Sequence, residues 1–98
     1  MTIKPFFRKA ARLEYDEAAI WYESQKIGLG SEFVAEIQQA LLIACENPQR
    51  FPNVLANVQR IRVRRFPYSI FFRIRSEKLV VLSVFHARRN PTIWRERT

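Results

Sequence analysis

RIRVRRFPYSIFFRIRSEKLVVLSVF, residues 60–85, is the stretch whose reading decides the fold. Ile61 and Val63 alternate with Arg60, Arg62 and Arg64, the period of two by which a strand turns successive side chains to opposite faces. Phe66-Pro67 interrupts that alternation, because proline removes a backbone donor from any ladder. Ile70, Phe72 and Ile74 then alternate with Ser69, Phe71, Arg73 and Arg75, which predicts a second strand. Ser76-Glu77-Lys78 is a hairpin-length connection. From Leu79 to Phe85 the chain is almost continuously apolar and rich in valine, the pattern of a strand buried on both faces at the centre of its sheet. Three consecutive strands joined by short turns make an antiparallel meander.

Working backwards, residues 9–26 contain neither glycine nor proline. Ala11, Tyr15, Ala18, Ala19 and Tyr22 fall on one stripe at helical spacing, so a helix is predicted there. Trp21 and Tyr22 read as core and core-edge. Leu13 and Ile20 project from the opposite side and are either a contact surface or isolated exposed apolar residues. Glu14, Asp16 and Glu17 read as a solvated acidic face. Gly28 is placed as a left-handed C-cap of this helix and Ser31 as the N-cap of a second helix. That helix carries Phe33, Ile37, Ala40, Leu41 and Ala44 inward and Glu32 at its positive end, and Asn47-Pro48 stops it. Before the first helix, Ile3 to Phe7 is a short apolar segment whose Pro5 suits an edge strand. After the last strand, Asn90-Pro91 ends the regular region and residues 92–98 form a basic tail carrying Trp94.

The expected fold class is therefore α+β in the order β-α-α-β-β-β, with the helical hairpin on one face of the sheet and arginines gathered on the other. Residues 1–98 are expected to form one domain, since a second core would leave each half too small to fold alone. Cys45 is the sole cysteine, so an internal disulfide and a cysteine-based zinc site are excluded, which suits a reducing compartment. Gly28 and Gly30 are the only glycines, which argues against a glycine-rich phosphate loop. Neither a cofactor nor a metal is expected. No apolar run reaches the ~20 residues of a membrane span or the form of a signal peptide, so the expectation is a soluble cytoplasmic protein.

The net charge of +8 is unevenly distributed. Residues 1–49 hold five Lys/Arg against seven Asp/Glu, a net of −2, whereas residues 50–98 hold twelve against two, a net of +10. Eleven of those twelve are arginine, whose planar fork grips phosphate or carboxylate. An anionic partner for the second half is the natural reading, beside the plainer one of a solvated basic surface.

Three strings now carry a resemblance: Glu17-Ala18-Ala19-Ile20-Trp21-Tyr22-Glu23, Gly28-Leu29-Gly30-Ser31-Glu32-Phe33, and Asn47-Pro48-Gln49-Arg50-Phe51-Pro52. With Arg64-Arg65-Phe66-Pro67-Tyr68-Ser69-Ile70-Phe71-Phe72, Val84-Phe85-His86-Ala87-Arg88-Arg89-Asn90-Pro91 and Trp94, the chain resembles the plasmid-stabilisation, ParE-like branch of the RelE/ParE toxin superfamily. The resemblance implies the toxin of a bacterial type II toxin–antitoxin pair, neutralised by a cognate antitoxin whose disordered segment folds as it wraps the toxin. An acidic amphipathic segment would answer the arginine field, by adding a strand to a sheet edge or laying a helix beside the helical hairpin.

The superfamily divides between ribosome-dependent cleavage of messenger RNA and poisoning of DNA gyrase. A metal-independent ribonuclease needs a base, cations and an acid. His86, Arg65 and Arg88 are the candidates, with Arg64, Arg73 and Arg89 as further cations. Against catalysis, the arginine that ribonuclease members carry after a tyrosine is here Ser69 after Tyr68, and their late tyrosine or histidine corresponds to Trp94, which stacks but exchanges no proton. The preferred reading is a surface that binds gyrase or another large assembly, anchored by Arg88, Arg89 and Trp94; the target- or antitoxin-binding set is Arg60, Arg62, Arg64, Arg65, Arg73, Arg88, Arg89 and Trp94, arginine and tryptophan being frequent interface anchors. His86 has an equally good plain reading as a hydrogen-bonding residue at a strand end. A third reading is a non-toxic RNA-binding module, with Phe71 exposed among arginines as a stacking platform.

Overall fold

Alternation and helical periodicity lead to the elements found in the computed structural model, which describes residues 3–89 and 92–97. They are β1 (Lys4–Phe7), α1 (Lys9–Gln25), α2 (Leu29–Glu46), a 3-10 turn (Pro48–Arg50), β2 (Asn53–Leu55), β3 (Val58–Arg62), β4 (Tyr68–Arg75), β5 (Lys78–His86) and the one-turn α3 (Thr92–Arg95). The predicted break at Asn90-Pro91 lies outside the described residues.

The sheet has five strands in the order β1-β5-β4-β3-β2. β2 to β5 form the antiparallel meander, and β1 closes the far edge by pairing parallel to β5, Phe6 opposite Val80 and Phe7 opposite Val81. The sheet thus has one strand more than the sequence predicted. β2 is three exposed residues long, too short to show a period. β5 is an interior strand as its composition requires, although β4 holds the middle position.

The helices cover one face. Ala11, Tyr15, Ala18 and Tyr22 of α1 and Phe33, Ile37, Leu41 and Ala44 of α2 meet Ile61, Ile70, Phe72, Leu79, Val81 and Val84 in one buried core. An aromatic cluster anchors it: Tyr22, Phe33, Phe66 and Tyr68 have ring centroids 4.8–6.2 Å apart, mostly edge-to-face. Such pairs add about 0.5–1.5 kcal/mol each beyond burial. Leu13 and Ile20 point away from this core and are exposed, and Trp21 is also 57% exposed, lying edge-on against Tyr22 rather than entering the core.

The turn between the helices corrects one expectation. Gly28 does adopt a left-handed backbone, φ 90°, but it immediately precedes α2, so Ser31 lies inside the helix and caps nothing. The cap comes from α1: the Glu23 carboxylate accepts the N–H groups of Gly28 at 2.9 Å and Gly30 at 3.0 Å. A carboxylate at that end also complements the helix dipole. Gly30 permits this approach, because a Cβ there would stand 2.6 Å from the Ala19 carbonyl oxygen.

The face away from the helices is not simply a field of arginines. Trp94 of the tail stacks on Phe71 with centroids 4.0 Å apart and planes 12° from parallel, forming a second core with Val58, Leu82 and Phe85.

Candidate functional site

Beside this second core runs a groove of ≈ 530 Å³ whose walls include Arg60 and Arg62 of β3, Phe66 to Ser69, Phe71, Phe85, Arg89 and Trp94. Strand alternation builds it. Arg60 pairs with Phe71 and Arg62 with Ser69, so the guanidinium groups of β3 stand on the same face as the aromatic floor. Val63 N–H donates to the Tyr68 carbonyl at 3.0 Å and fixes the loop that closes one end. Arg89 leans over the Phe85 ring at 5.8 Å.

The predicted site residues separate into groups. Arg60, Arg62, Arg89 and Trp94 come together in the groove, but Arg64, Arg65, Arg73 and Arg88 do not line it. Arg65 turns to α2 and pairs with Glu32 and Glu36. Its hydrogen bond and positive charge hold the Glu32 carboxyl below the ordinary glutamate pKa, with a smaller contribution from Lys26. Arg73 was expected to reach outward and is instead only 8% exposed, because β4 is the middle strand and both its neighbours shadow a side chain there. Trp94 and Phe71, expected as a surface anchor and an exposed platform, are 4% and 5% exposed. Their large apolar rings satisfy each other, so they wall the groove rather than project from it.

His86 sits at the end of β5 and its Nδ1 accepts the Arg88 backbone N–H at 3.1 Å. Its ring lies edge-on to Tyr68, 5.1 Å between centroids. It borders a smaller depression with Glu14, Glu17, Trp21 and Arg89, and is not a wall of the arginine groove. Of the ribonuclease candidates, His86 thus borders this depression whereas Arg65 turns to α2, and it is the backbone of Arg88 that meets His86. Tyr68, which does line the groove, has its phenol pKa raised, chiefly by burial and then by Tyr22 and Glu14, Arg89 opposing.

Sequence reasoning missed Glu14. Beyond the end of β1 the β5 edge has no strand partner among the described residues, and Glu14 of α1 answers it: its carboxylate accepts the Val84 N–H and the Ser83 hydroxyl, each at 3.0 Å. Arg97 donates to Glu14 at 2.8 Å and to the Leu82 carbonyl at 3.3 Å, and Arg89 approaches the other carboxylate oxygen at 3.5 Å. This site lies beside a register shift in β5, where Phe71 faces Ser83 but Phe72 faces Val81. One carboxylate therefore joins helix, sheet edge, tail and groove wall. The signal was available, since Glu14 stands three residues after Ala11 and four before Ala18, on the flank of the buried stripe.

Among the described residues no helix is long and apolar enough to cross a membrane, and no group of His, Cys, Asp and Glu is placed to hold a metal ion.

Comparison with known proteins adds to this geometry. A chain of the chromosomal ParDE toxin–antitoxin system from P. aeruginosa superposes with TM-score 0.74 at 17% identity, covering 90% of this chain and 98% of that one. A chain of the RelBE2 toxin–antitoxin complex from Mycobacterium tuberculosis superposes with TM-score 0.59 at 21% identity, covering 88% and 99%. Both share the fold. A search of curated protein sequences gives no match. Residues 6–91, from β1 to beyond the arginines that follow β5, match the profile of the ParE toxin of the type II toxin–antitoxin system parDE, and the chain belongs to that family.

Proposed function

We propose that this toxin arrests growth without catalysing a reaction, by applying the arginine groove to DNA gyrase, and that a cognate acidic antitoxin neutralises it. The observation that carries the reading is the make-up of the groove: Arg60, Arg62 and Arg89 bring positive charge and the walls bring aromatic surface, and among the described residues no carboxylate or imidazole lines it. Its one phenol, Tyr68, is pushed away from neutrality by burial. General acid–base catalysis works best with groups that titrate near the operating pH, whereas a protein interface needs arginine and aromatic surface.

The antitoxin has two kinds of surface to use. Leu13 and Ile20 expose an apolar strip on α1, and a shallow trough between β1 and α2 is lined by Ile3, Pro5, Ala35, Leu41 and Leu42. An amphipathic segment with acidic residues fits both the apolar strip and the basic sheet face. Gyrase and antitoxin alike assign the action to the cytoplasm.

Ribosome-dependent cleavage of messenger RNA remains the second reading, supported by the proximity of His86 to Tyr68 and Arg89 at the neighbouring depression. The two are separated by one experiment: purified toxin is added to a gyrase supercoiling and DNA-cleavage assay and, in parallel, to translating ribosomes with 5′-end mapping of the message. Gyrase-linked breaks with intact messages are expected. Codon-phased cuts with unaffected gyrase would replace this reading by the ribonuclease one.

A further inference from the structure

At the opposite end of the same sheet face lies a second group of cations that the groove does not include. Register places Lys4, Lys78 and Arg75 side by side across β1, β5 and β4, and Phe6, Val80 and Arg73 side by side in the next row. Arg8 follows β1 in extended conformation, two residues on from Phe6, with its N–H donated to the Val81 carbonyl. By strand alternation it stands on the same face as Phe6. The guanidinium of Arg73 is the centre of this group. Its Nε is fully buried and makes no hydrogen bond, and the side chain has no carboxylate partner among the described residues.

A buried, unpartnered Nε–H is costly, and the cost rises when the neighbouring charges are alike. Burial lowers the Arg73 pKa, and the positive charges of Arg75 and Arg8 lower it further. Removal of surface apolar area alone would have been met as well by leucine at this position. We propose that Arg73, Arg75 and Arg8 form a phosphate-binding site, filled by a backbone phosphate of a single nucleic acid strand whose base stacks on Phe6. Three guanidinium groups, two from β4 and one from the junction of β1 and α1, suit a tetrahedral oxyanion, which offers acceptors in several directions, better than a carboxylate with two coplanar oxygens. Phe6 is 56% exposed beside Arg73's row, with the Lys78 ammonium over its ring at 5.5 Å, and this supplies the aromatic platform on which a base rests. The Trp94–Phe71 block lies between this site and the arginine groove, so the site does not depend on whether the groove meets gyrase.

The test uses the full chain labelled with nitrogen-15, following the Arg73 Nε–H resonance while inorganic phosphate, a short oligothymidylate or polyglutamate is added. Movement of that resonance by both phosphate and the oligonucleotide is expected. Arg8→Gln and Arg75→Gln, both at exposed positions that leave the core untouched, should each weaken oligonucleotide binding about tenfold and flatten the log affinity against log salt slope by ~0.7, one phosphate contact. Phe6→Ala should weaken the oligonucleotide and spare inorganic phosphate. Arg60→Gln with Arg62→Gln, in the groove, should leave the Arg73 response in place. A response to inorganic phosphate alone keeps the site and assigns it to a free anion. A resonance unmoved by either phosphate probe, or moved by polyglutamate alone, overturns the proposal.

Discussion

Glu14 does the work that a longer β1 would otherwise do. Backbone groups at a sheet edge must find partners or water, and at Val84 and Leu82 these partners are a carboxylate from α1 and a guanidinium from the tail. The Glu14 side chain is only 10% exposed, so its charge is largely withdrawn from solvent and the Arg97 pair matters more than a surface pair does. Glu14→Gln keeps the shape but leaves Arg97 without its counter-charge. It is expected to cost about 2–3 kcal/mol of folding stability, lost hydrogen-bond strength to a charged group plus an unpaired cation. Urea unfolding reads the cost, and a loss within 0.5 kcal/mol would mean that the pair is solvated. Trp94→Ala is expected to cost about 3–5 kcal/mol by opening the second core, with near-ultraviolet circular dichroism from the Phe71 stack lost in parallel. Neither role was read from the sequence, although Glu14 stood on the flank of the buried stripe. A glutamate followed closely by two other acids on a helix reads as solvated, and a tryptophan in a basic tail reads as an anchor. Only the fold shows that the tail returns to the sheet and that α1 crosses the end of β1.

Elements were legible wherever a period had room to repeat. Both helices repeat their stripe over three turns, and the alternation of β3 and β4 is unbroken between turns. β2 failed this condition, having three exposed residues, and Ser31 failed another, since a carboxylate on the preceding helix had already taken the free N–H groups. The β4–β5 turn shows how far local chemistry can be overridden. Ser76 and Glu77 both have positive φ, 49° and 62°, the backbone of a type I′ turn, in which asparagine and glycine are at ease and glutamate is not. Long flanking strands with eight paired positions hold the turn in place. Ser76→Asn with Glu77→Gly is therefore expected to stabilise the protein by ~1 kcal/mol, raising Tm by about 4–8 °C. An unchanged Tm would show that the turn carries no strain. The contact between the loop before β4 and α2 has a pH signature of its own. Arg65 lowers the Glu32 pKa in the folded state, so its contribution is present above the ordinary glutamate pKa and disappears as pH falls through the lowered value. In Arg65→Ala this part of the acid-side fall in stability should vanish, and denaturation midpoints at pH 3 to 6 compare the two directly.

At the scale of the molecule, the uneven charge of the two halves of the chain becomes an uneven charge of two layers. The residues up to 49, net −2, supply mainly the helices, and the residues from 50, net +10, supply most of the sheet and the tail. Folding therefore turns a sequence asymmetry into a face, and strand alternation then confines Arg60 and Arg62 to one groove in it. Such a field speeds association with an anionic or acidic partner and makes it sensitive to salt. This part of the site was visible in the sequence as charge and period. Its division was not, because the paths of Arg65 to α2 and Arg73 into the sheet depend on neighbours distant in the chain. That division makes an ordered prediction. Arg60→Ala with Arg62→Ala should relieve growth arrest and weaken and desalt-sensitise target binding, while stability changes by less than about 0.5 kcal/mol per site, since neither guanidinium makes an ion pair among the described residues. Arg89→Ala should act in the same direction because Arg89 lines the groove, and Arg88→Ala should have little effect because Arg88 does not. Growth curves after induction at matched protein level give the ranking. If Arg88→Ala relieves the arrest and the Arg60, Arg62 double variant does not, the working surface is the turn after β5 and not the groove.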